Sequence, residues 1–545
     1  MQHPVTVTAV PFHRLPHQSG LFLEYVSGSG NALSYYRHPP AIEAIGKAAD
    51  EARSLALPRL ELARILRIQN KSFGGDDSVM HAIDELAGPG CCAVATGQQV
   101  GLFTGPGLTV YKALTAIHLS RELCRRGIRC VPVFWMAADD HDLAEVTRLA
   151  MPGPAPCVID ARLRLWGTAA MPPCPVGDVR LPEAIEPLQA EYAASFAGFE
   201  WSDAVSLQLA SSCRPDMTFT EAFGRLMAWL FRGRGLILFD PRDTAAKRLA
   251  APVIDRALRE APALRARLAE QGRTLQHSGF KPQVAVLPHS TLVFLEHEGE
   301  RRLLVGGDGA FSLKDAGGQF AEQQLLELLG SHPERFSPSA LLRPLVQDHL
   351  LPTAAYVGGP AEVSYFAQLG PLYVSLGRPM PVVWPRSSFT VLDAGSRSLM
   401  ERLGLRLEDC LQGEDAAMRR ILEARPARFA LQLAELRHTV DQAIDEVKPG
   451  LATEPGLEAA AETARRKLRH RIDSLQRRLI SHEVKQNGAL RDDVVQLLAC
   501  AAPNGHLQER ELGILPLFAR LGPGLLDMVD AAIDLGDFSH RIVSR

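Results

Sequence analysis

"CAVATGQQVGLFTGPGLTVYKALTAIHL", residues 92–119, is the stretch that sets the fold. The apolar run at 91–95 stops at Gly97 and predicts a short buried strand. Leu108, Tyr111, Leu114, Ile117 and Leu119 then recur at helical spacing, and Gly127 supplies a C-terminal cap. CVPVFWMA, residues 130–137, predicts a second buried strand. Strand, helix and strand in this order make a βαβ unit, and the nearly continuous apolar character of both strands predicts a parallel sheet covered on both faces. GLILFD (235–240), TAAYVGG (353–359) and PVVWP (381–385) supply further strands of the same kind. The fold class is therefore α/β.

The chain has 545 residues, several times the length of one ordinary domain, so more than one packed unit is expected. Hydrophobic residues make up 46% and charged residues 22%, which excludes a predominantly disordered chain. A net charge of -3 gives no electrostatic reason to expect nucleic acid or an anionic membrane as partner. The N-terminus has no basic segment leading into an apolar run, and no long uncharged apolar stretch follows elsewhere, so a cytoplasmic protein is expected. The nine cysteines are scattered without a C-x-x-C, which reads as reduced and mostly buried thiols.

The α/β core is expected over residues 1–395, with Pro-rich insertions at about 151–215 and 260–340, the second holding a hairpin in STLVFLEHEGERRLLVGG and short helices. Beyond 395 the strand signal fades. Phe429, Leu433, Leu436, Val440, Ile444 and Val447, then Leu468, Ile472, Leu475 and Leu479, follow three- and four-residue steps, and KPGLATEPG (448–456) separates the two runs. This predicts an antiparallel helical coiled coil within 396–500, with the basic run RRKLRHR (465–471) on a solvated face. Its partly covered apolar stripe predicts a homodimer through the coiled coil. Residues 501–545 are expected to form a helical segment packing back on the core.

Chemistry is expected at the carboxyl ends of the strands, where open α/β sheets bind ligands. Gly97, Gly101, Gly105 and Gly107 bring backbone N–H groups to a helix start, with Gly105 as its N-cap, and Gln98, Gln99 and Thr104 add side-chain donors and acceptors for an anionic ligand. The stretch is neither a P-loop nor G-x-G-x-x-G. Asp139, Asp140, His141 and Asp142 close the second strand; Asp142 with Glu145 matches a helix-capping pattern, leaving Asp140 and His141, with Asp139, as candidate catalytic groups. No metal site is assigned. Gly358, Gly359, Glu362 and Tyr365 repeat the glycine-lined helix start, with Arg343 and Asp348 upstream as a candidate ion pair. Arg386 and Ser387 in WPRSS form a candidate clamp for a carboxylate or phosphate. In APNGHLQERELGILPLF, residues 502–518, Asn504 and Gly505 read as a turn and Glu509 as a first-turn acid.

Taken in order, TGQQVGLFTGP, VPVFWMAADDHD, LRPLVQDHLLPTAAYVGGPAEVSYFAQL, WPRSS and PNGHLQER resemble the bacillithiol biosynthesis family BshC, a family of cysteine-adding enzymes. The resemblance implies a Rossmann-like parallel-sheet core with two inserted connecting segments and a C-terminal coiled coil through which the protein dimerises. It implies a carbon–nitrogen ligase that adds L-cysteine to glucosaminyl-malate in the last step of making bacillithiol. Forming that amide in water calls for an activated carboxylate, most simply through ATP with Mg2+. The family pattern carries Gly-Glu ahead of Asp-His-Asp where this chain has Ala138 and Asp139, and an Asn where it has Gly513. Two other readings use the same features: a nucleotidyl- or glycosyltransferase working in the same crevice, and a non-enzymatic dimeric scaffold in which the coiled coil is the working part.

Overall fold

The computed structural model describes residues 5–151, 157–167, 174–424, 428–451, 455–486 and 488–544. Its centre is a five-stranded sheet built from β1 (Cys92–Gln98), β2 (Cys130–Met136), β3 (Ile237–Phe239), β6 (Thr353–Gly358) and β7 (Val382–Pro385), in the order β7-β6-β1-β2-β3, with every neighbouring pair parallel. All five predicted strands are present, and their carboxyl ends lie along one edge. The strands are apolar at nearly every position because both faces are covered. On one face Cys92, Val94, Ala355, Val357, Val382 and Trp384 pack with Ile45, Ala48, Ala49 and Ala52.

Between β1 and β2 runs helix α1 (Leu108–Arg125), a crossover whose inner side is buried along its whole length. Gly107, not Gly105, is its N-cap. Gly105 instead ends a tight 3-10 turn, Leu102–Thr104, with Phe103, Thr104 and Gly105 all at positive φ (51°, 78° and 66°). Helix α2 (Thr244–Arg259) follows β3. The predicted hairpin is formed by β4 (Ser290–His297) and β5 (Glu300–Gly307), part of a five-stranded antiparallel sheet. Its turn places Glu298 and Gly299 both at positive φ, the conformation that matches strand twist in two-residue hairpins. The same insertion contains a long helix, Ala261–His277, where only short ones were expected. Helix α3 (Arg343–Leu350) leads into β6, and the short α4 (Pro360–Phe366) leaves it.

The chain divides into two compact units, the second formed essentially by Val391–Gln508, with Glu509–Val543 belonging to the first. In the second unit α5 (Arg428–Leu451) and α6 (Pro455–Gln486) pack as the expected antiparallel pair. The break between them is shorter than the sequence suggested, since α5 continues through Lys448–Leu451; residues 452–454 lie outside the described residues. Ion pairs Arg437–Asp473, Asp441–Arg469 (2.7 Å), Asp445–Arg465 and Lys448–Glu462 (3.1 Å) step along the pair in constant antiparallel register. Part of the basic run is thus spent across the hairpin rather than left to solvent. Leu433 and Ile472 are buried, while Leu436, Val447, Leu468 and Leu475 remain exposed. Among the described residues no helix is long and apolar enough to cross a membrane, and Cys91, Cys92, Cys124, Cys130, Cys174, Cys213, Cys410 and Cys500 are free thiols.

Gly97 marks the closest approach inside the sheet, because a Cβ there would lie 2.6 Å from the Trp135 carbonyl oxygen on β2. Gly97→Ala is expected to cost about 1–3 kcal/mol in denaturant unfolding, by forcing neighbouring strands apart. Gly20→Ala, where a Cβ meets nothing within 4 Å, serves as the unaffected control.

Candidate active site

The ends of β1 and β6 are joined through a lysine that the sequence reading did not single out. Lys112 lies on the first turns of α1, 3% exposed, and its ammonium donates to the Gly97 carbonyl (2.8 Å) and to Gln98 Oε1 (2.8 Å) while pairing with the Glu362 carboxylate. Three acceptors match the three N–H donors of an ammonium group. Glu362 in turn accepts from the Gly359 N–H (2.8 Å) and the Tyr356 hydroxyl (2.5 Å). Burial works against its ionisation, but Lys112, Tyr356 and the Gly359 amide outweigh burial and hold it below the usual carboxylate range.

Gly358, Gly359, Glu362 and Tyr365 are therefore brought together with Gly97 and Gln98, behind one network. Arg343 donates to the Tyr356 and Tyr365 hydroxyls (3.2 Å each) and to Gln347 Oε1 (3.0 Å). It does not pair directly with Asp348, which accepts from Tyr373 (2.6 Å) and Gln347 (3.1 Å) and which burial pushes up to about 6.

After β2 the chain turns at Ala138 and Asp139, and the two neighbouring carboxylates part there. Asp139 turns inward, buried, to Lys247 Nζ on α2 at 2.6 Å, with Arg242 at 3.5 Å. This committed ion pair removes Asp139 from the set of groups free to act on a ligand. Asp140 and His141 turn outward, with side chains 42% and 40% exposed. Asp140 Oδ2 accepts from Gln99 Nε2 (2.7 Å), which ties this loop to the end of β1. Its Oδ1 accepts the His141 backbone N–H at 2.8 Å. Asp142 caps the short helix Leu143–Val146 through the Glu145 N–H, as the local pattern indicated. At the end of β3 burial pushes Asp240 up to about 7.

Two expectations are corrected by what already fills the sites. Arg386 is no free anion clamp: its guanidinium makes a two-pronged bond to Glu509, Nη1 to Oε2 at 2.9 Å and Nη2 to Oε1 at 2.6 Å, with both side chains buried. Glu509 also accepts from Ser388 Oγ (2.7 Å) and the Phe389 N–H (2.9 Å), so it is a tertiary anchor and not merely a first-turn acid. Ser387 spends its N–H on Thr115 Oγ1 at 3.1 Å.

The glycine loop is likewise packed by protein. Gly107 N–H donates to the Leu512 carbonyl (2.8 Å), a Cβ on Gly101 would lie 2.8 Å from Gly105 Cα, and Thr104 is fully buried. The second glycine-lined start receives the carboxylate of Glu362. At the two helix starts the Gly107 and Gly359 N–H groups are engaged by a carbonyl and a carboxylate from the chain itself. Among the described residues no three His, Cys, Asp or Glu side chains gather as metal ligands.

Sequence reading also missed Lys247, Arg242 and Arg301. A signal existed for Lys112, a lone charge in the otherwise apolar and hydroxyl-bearing TVYKALTA segment. None existed for the others, whose partners lie on distant segments.

A parallel α/β unit with acidic, amide and imidazole groups on its carboxyl edge, in one chain with a separate antiparallel helical hairpin, defines a Rossmann-like core with a coiled-coil appendage. The chain belongs to the bacillithiol biosynthesis BshC family: residues 6–387 match the family's N-terminal Rossmann-like domain and residues 389–545 its C-terminal coiled-coil domain. It is 34% identical to the "Putative cysteine ligase BshC" of Koribacter versatilis (strain Ellin345), over 98% of this chain and 99% of that one. Proteins of the same name in Solibacter usitatus (strain Ellin6076), 33% identical over 98% and 99%, and in Salinibacter ruber (strain DSM 13855 / M31), 32% identical over 96% of each chain, match comparably.

Removing one partner of a buried pair leaves an uncompensated charge, so Glu509→Ala is expected to lower unfolding free energy by about 3–5 kcal/mol, with part of the loss recovered in Glu509→Ala/Arg386→Met. Beside this pair, His540 is buried between the hydroxyls of Ser388 (2.7 Å) and Thr390 (2.9 Å), and burial pushes it down to about 4. The unfolded chain then binds more protons than the native one between about pH 6.5 and 4, so this residue subtracts stability as pH falls through that window, by about 1.4 kcal/mol per pH unit. His540→Gln is expected to be less stable than the parent at pH 7.5, and the gap in melting temperature should close on acidification; a constant gap would contradict the assignment.

Proposed function

We propose that this protein is a carbon–nitrogen ligase that adds L-cysteine to glucosaminyl-malate, the closing step of bacillithiol synthesis. The names of its relatives support the reaction class. The observation that carries the site is the outward-facing pair Asp140–His141, bonded through Gln99 to the end of β1 on the same sheet edge as the Lys112–Glu362 network. The nucleophilic nitrogen must lose a proton as the amide forms, and a half-exposed carboxylate beside an imidazole is suited to receive it.

A free carboxylate does not form an amide in water without activation, and ATP with Mg2+ is our proposal for the activator, bound elsewhere than at the two glycine-lined helix starts. The exposed Leu436, Val447, Leu468 and Leu475 support a homodimer through the coiled coil, and a cytoplasmic location is part of the same proposal.

Asp140→Ala/His141→Ala should lower bacillithiol formation by about 10²–10⁴-fold, the usual contribution of a positioned base. The readouts are thiol content in cells and circular dichroism of the purified protein. Full thiol production by a folded double variant would remove the assignment. Accumulated glucosaminyl-malate in a deletion strain would support the substrate, and its absence with bacillithiol still present would overturn it.

A further inference from the structure

Arg301 stands on β5, next to the hairpin turn, and is 7% exposed. Every edge of its guanidinium is engaged. Nε donates to Ser337 Oγ (2.9 Å), Nη2 donates to the Pro338 carbonyl (3.2 Å), and the guanidinium carbon sits 3.7 Å from the centroid of the Phe294 ring. The remaining arm, Nη1, reaches His141 Nδ1 at 3.0 Å. A guanidinium group has donors and no acceptor, so Nδ1 can only contribute its lone pair to this bond.

One group competes for the same nitrogen. Asp140 Oδ1 lies 3.5 Å from His141 Nδ1 and would favour a proton there. That oxygen already accepts the His141 N–H at 2.8 Å, and 3.5 Å is at the limit of a hydrogen bond while 3.0 Å is its centre. The arginine bond prevails.

We infer that Arg301 holds His141 as the neutral imidazole with its proton on Nε2, so that His141 offers a hydrogen-bond donor at the sheet edge and Asp140 is left as the proton acceptor. The two residues therefore have different roles. As the amine nitrogen bonds to the activated acyl carbon and the leaving group departs with its electron pair, the proton lost from nitrogen goes to Asp140. The transient negative charge on the acyl oxygen is met by His141 Nε2–H. Arg301 acts through His141 and is a positioning residue.

Burial is the main cause that disfavours a second proton on the ring, Arg301 and Arg302 add to it, Asp140 and Asp142 oppose it, and the balance lies below the ordinary histidine value. The roles in catalysis rest on the ligase reading above, while the tautomer does not.

The test is a long-range 1H–15N correlation spectrum of the full-length protein labelled with 15N-histidine, with His141 assigned by its loss in His141→Gln. The expected spectrum shows Nδ1 unprotonated and Nε2 protonated. A proton on Nδ1, or a doubly protonated ring at neutral pH, would overturn the inference whether or not the protein proves to be a ligase. In Arg301→Met the ring should titrate at higher pH and lose its single tautomer, and Arg301→Lys, which keeps a donor, should restore both; an unchanged ring in a folded Arg301→Met would contradict the mechanism.

With cysteine, glucosaminyl-malate and ATP, His141→Gln keeps a donor at the Nε2 position. It should retain activity within about ten-fold of the parent, whereas removal of a base costs ~10²–10⁴-fold. Equal loss in His141→Gln and His141→Ala would assign the base to His141 and overturn the division of roles.

Discussion

The arrangement of the candidate site depends on one buried cation. Lys112 reaches back from the start of α1 to the strand it follows and across to the helix start beyond β6, and its three hydrogen bonds are all made inside the protein. A bare ammonium in that position would cost several kcal/mol in lost hydration, so the cation is tolerated only because the Glu362 carboxylate and two oxygens from the end of β1 converge on it. The converse also holds. Those two loops keep their relative positions because each supplies an acceptor that the ammonium requires.

The same device recurs along the edge. Asp139 and Lys247 tie the end of β2 to α2, and Arg386 and Glu509 tie the end of β7 to the segment that follows the second unit. Each pair is buried and directional, and each consumes a charge that might otherwise be read as a ligand contact. Asp140 and His141, by contrast, keep half-exposed side chains, backed by Gln99 and Arg301. Internal pairing thus withdraws Asp139, Arg386 and Glu362 from the groups available to a substrate.

The fold was largely legible in the sequence, because a doubly covered parallel strand has a short apolar run as its signature and five such runs stand between 91 and 385. The hairpin and the antiparallel helix pair were readable for similar reasons of periodicity. The site was legible only in position. The motifs mark which loops lie at the sheet edge, yet Asp139 and Asp140 look alike in sequence and differ only in the turn after β2, which sends one to Lys247 and the other to Gln99. Arg386 looked free because its partner, Glu509, is far along the chain with the entire second unit between them. The glycines read as a site for an anionic ligand, whereas Gly97 and Gly101 are also demanded by the close approach of Trp135 and Gly105.

The most direct test of the central claim is hydrogen–deuterium exchange, read by mass spectrometry on peptides covering Gly97–Gln99 and Gly358–Glu362, in the parent and in Lys112→Met. If the ammonium holds the two loops together, both segments should lose protection to a similar degree, although they lie on different strands, while peptides from the coiled coil stay unchanged. Loss of protection at Gly97–Gln99 alone, with Gly358–Glu362 as protected as in the parent, would contradict it.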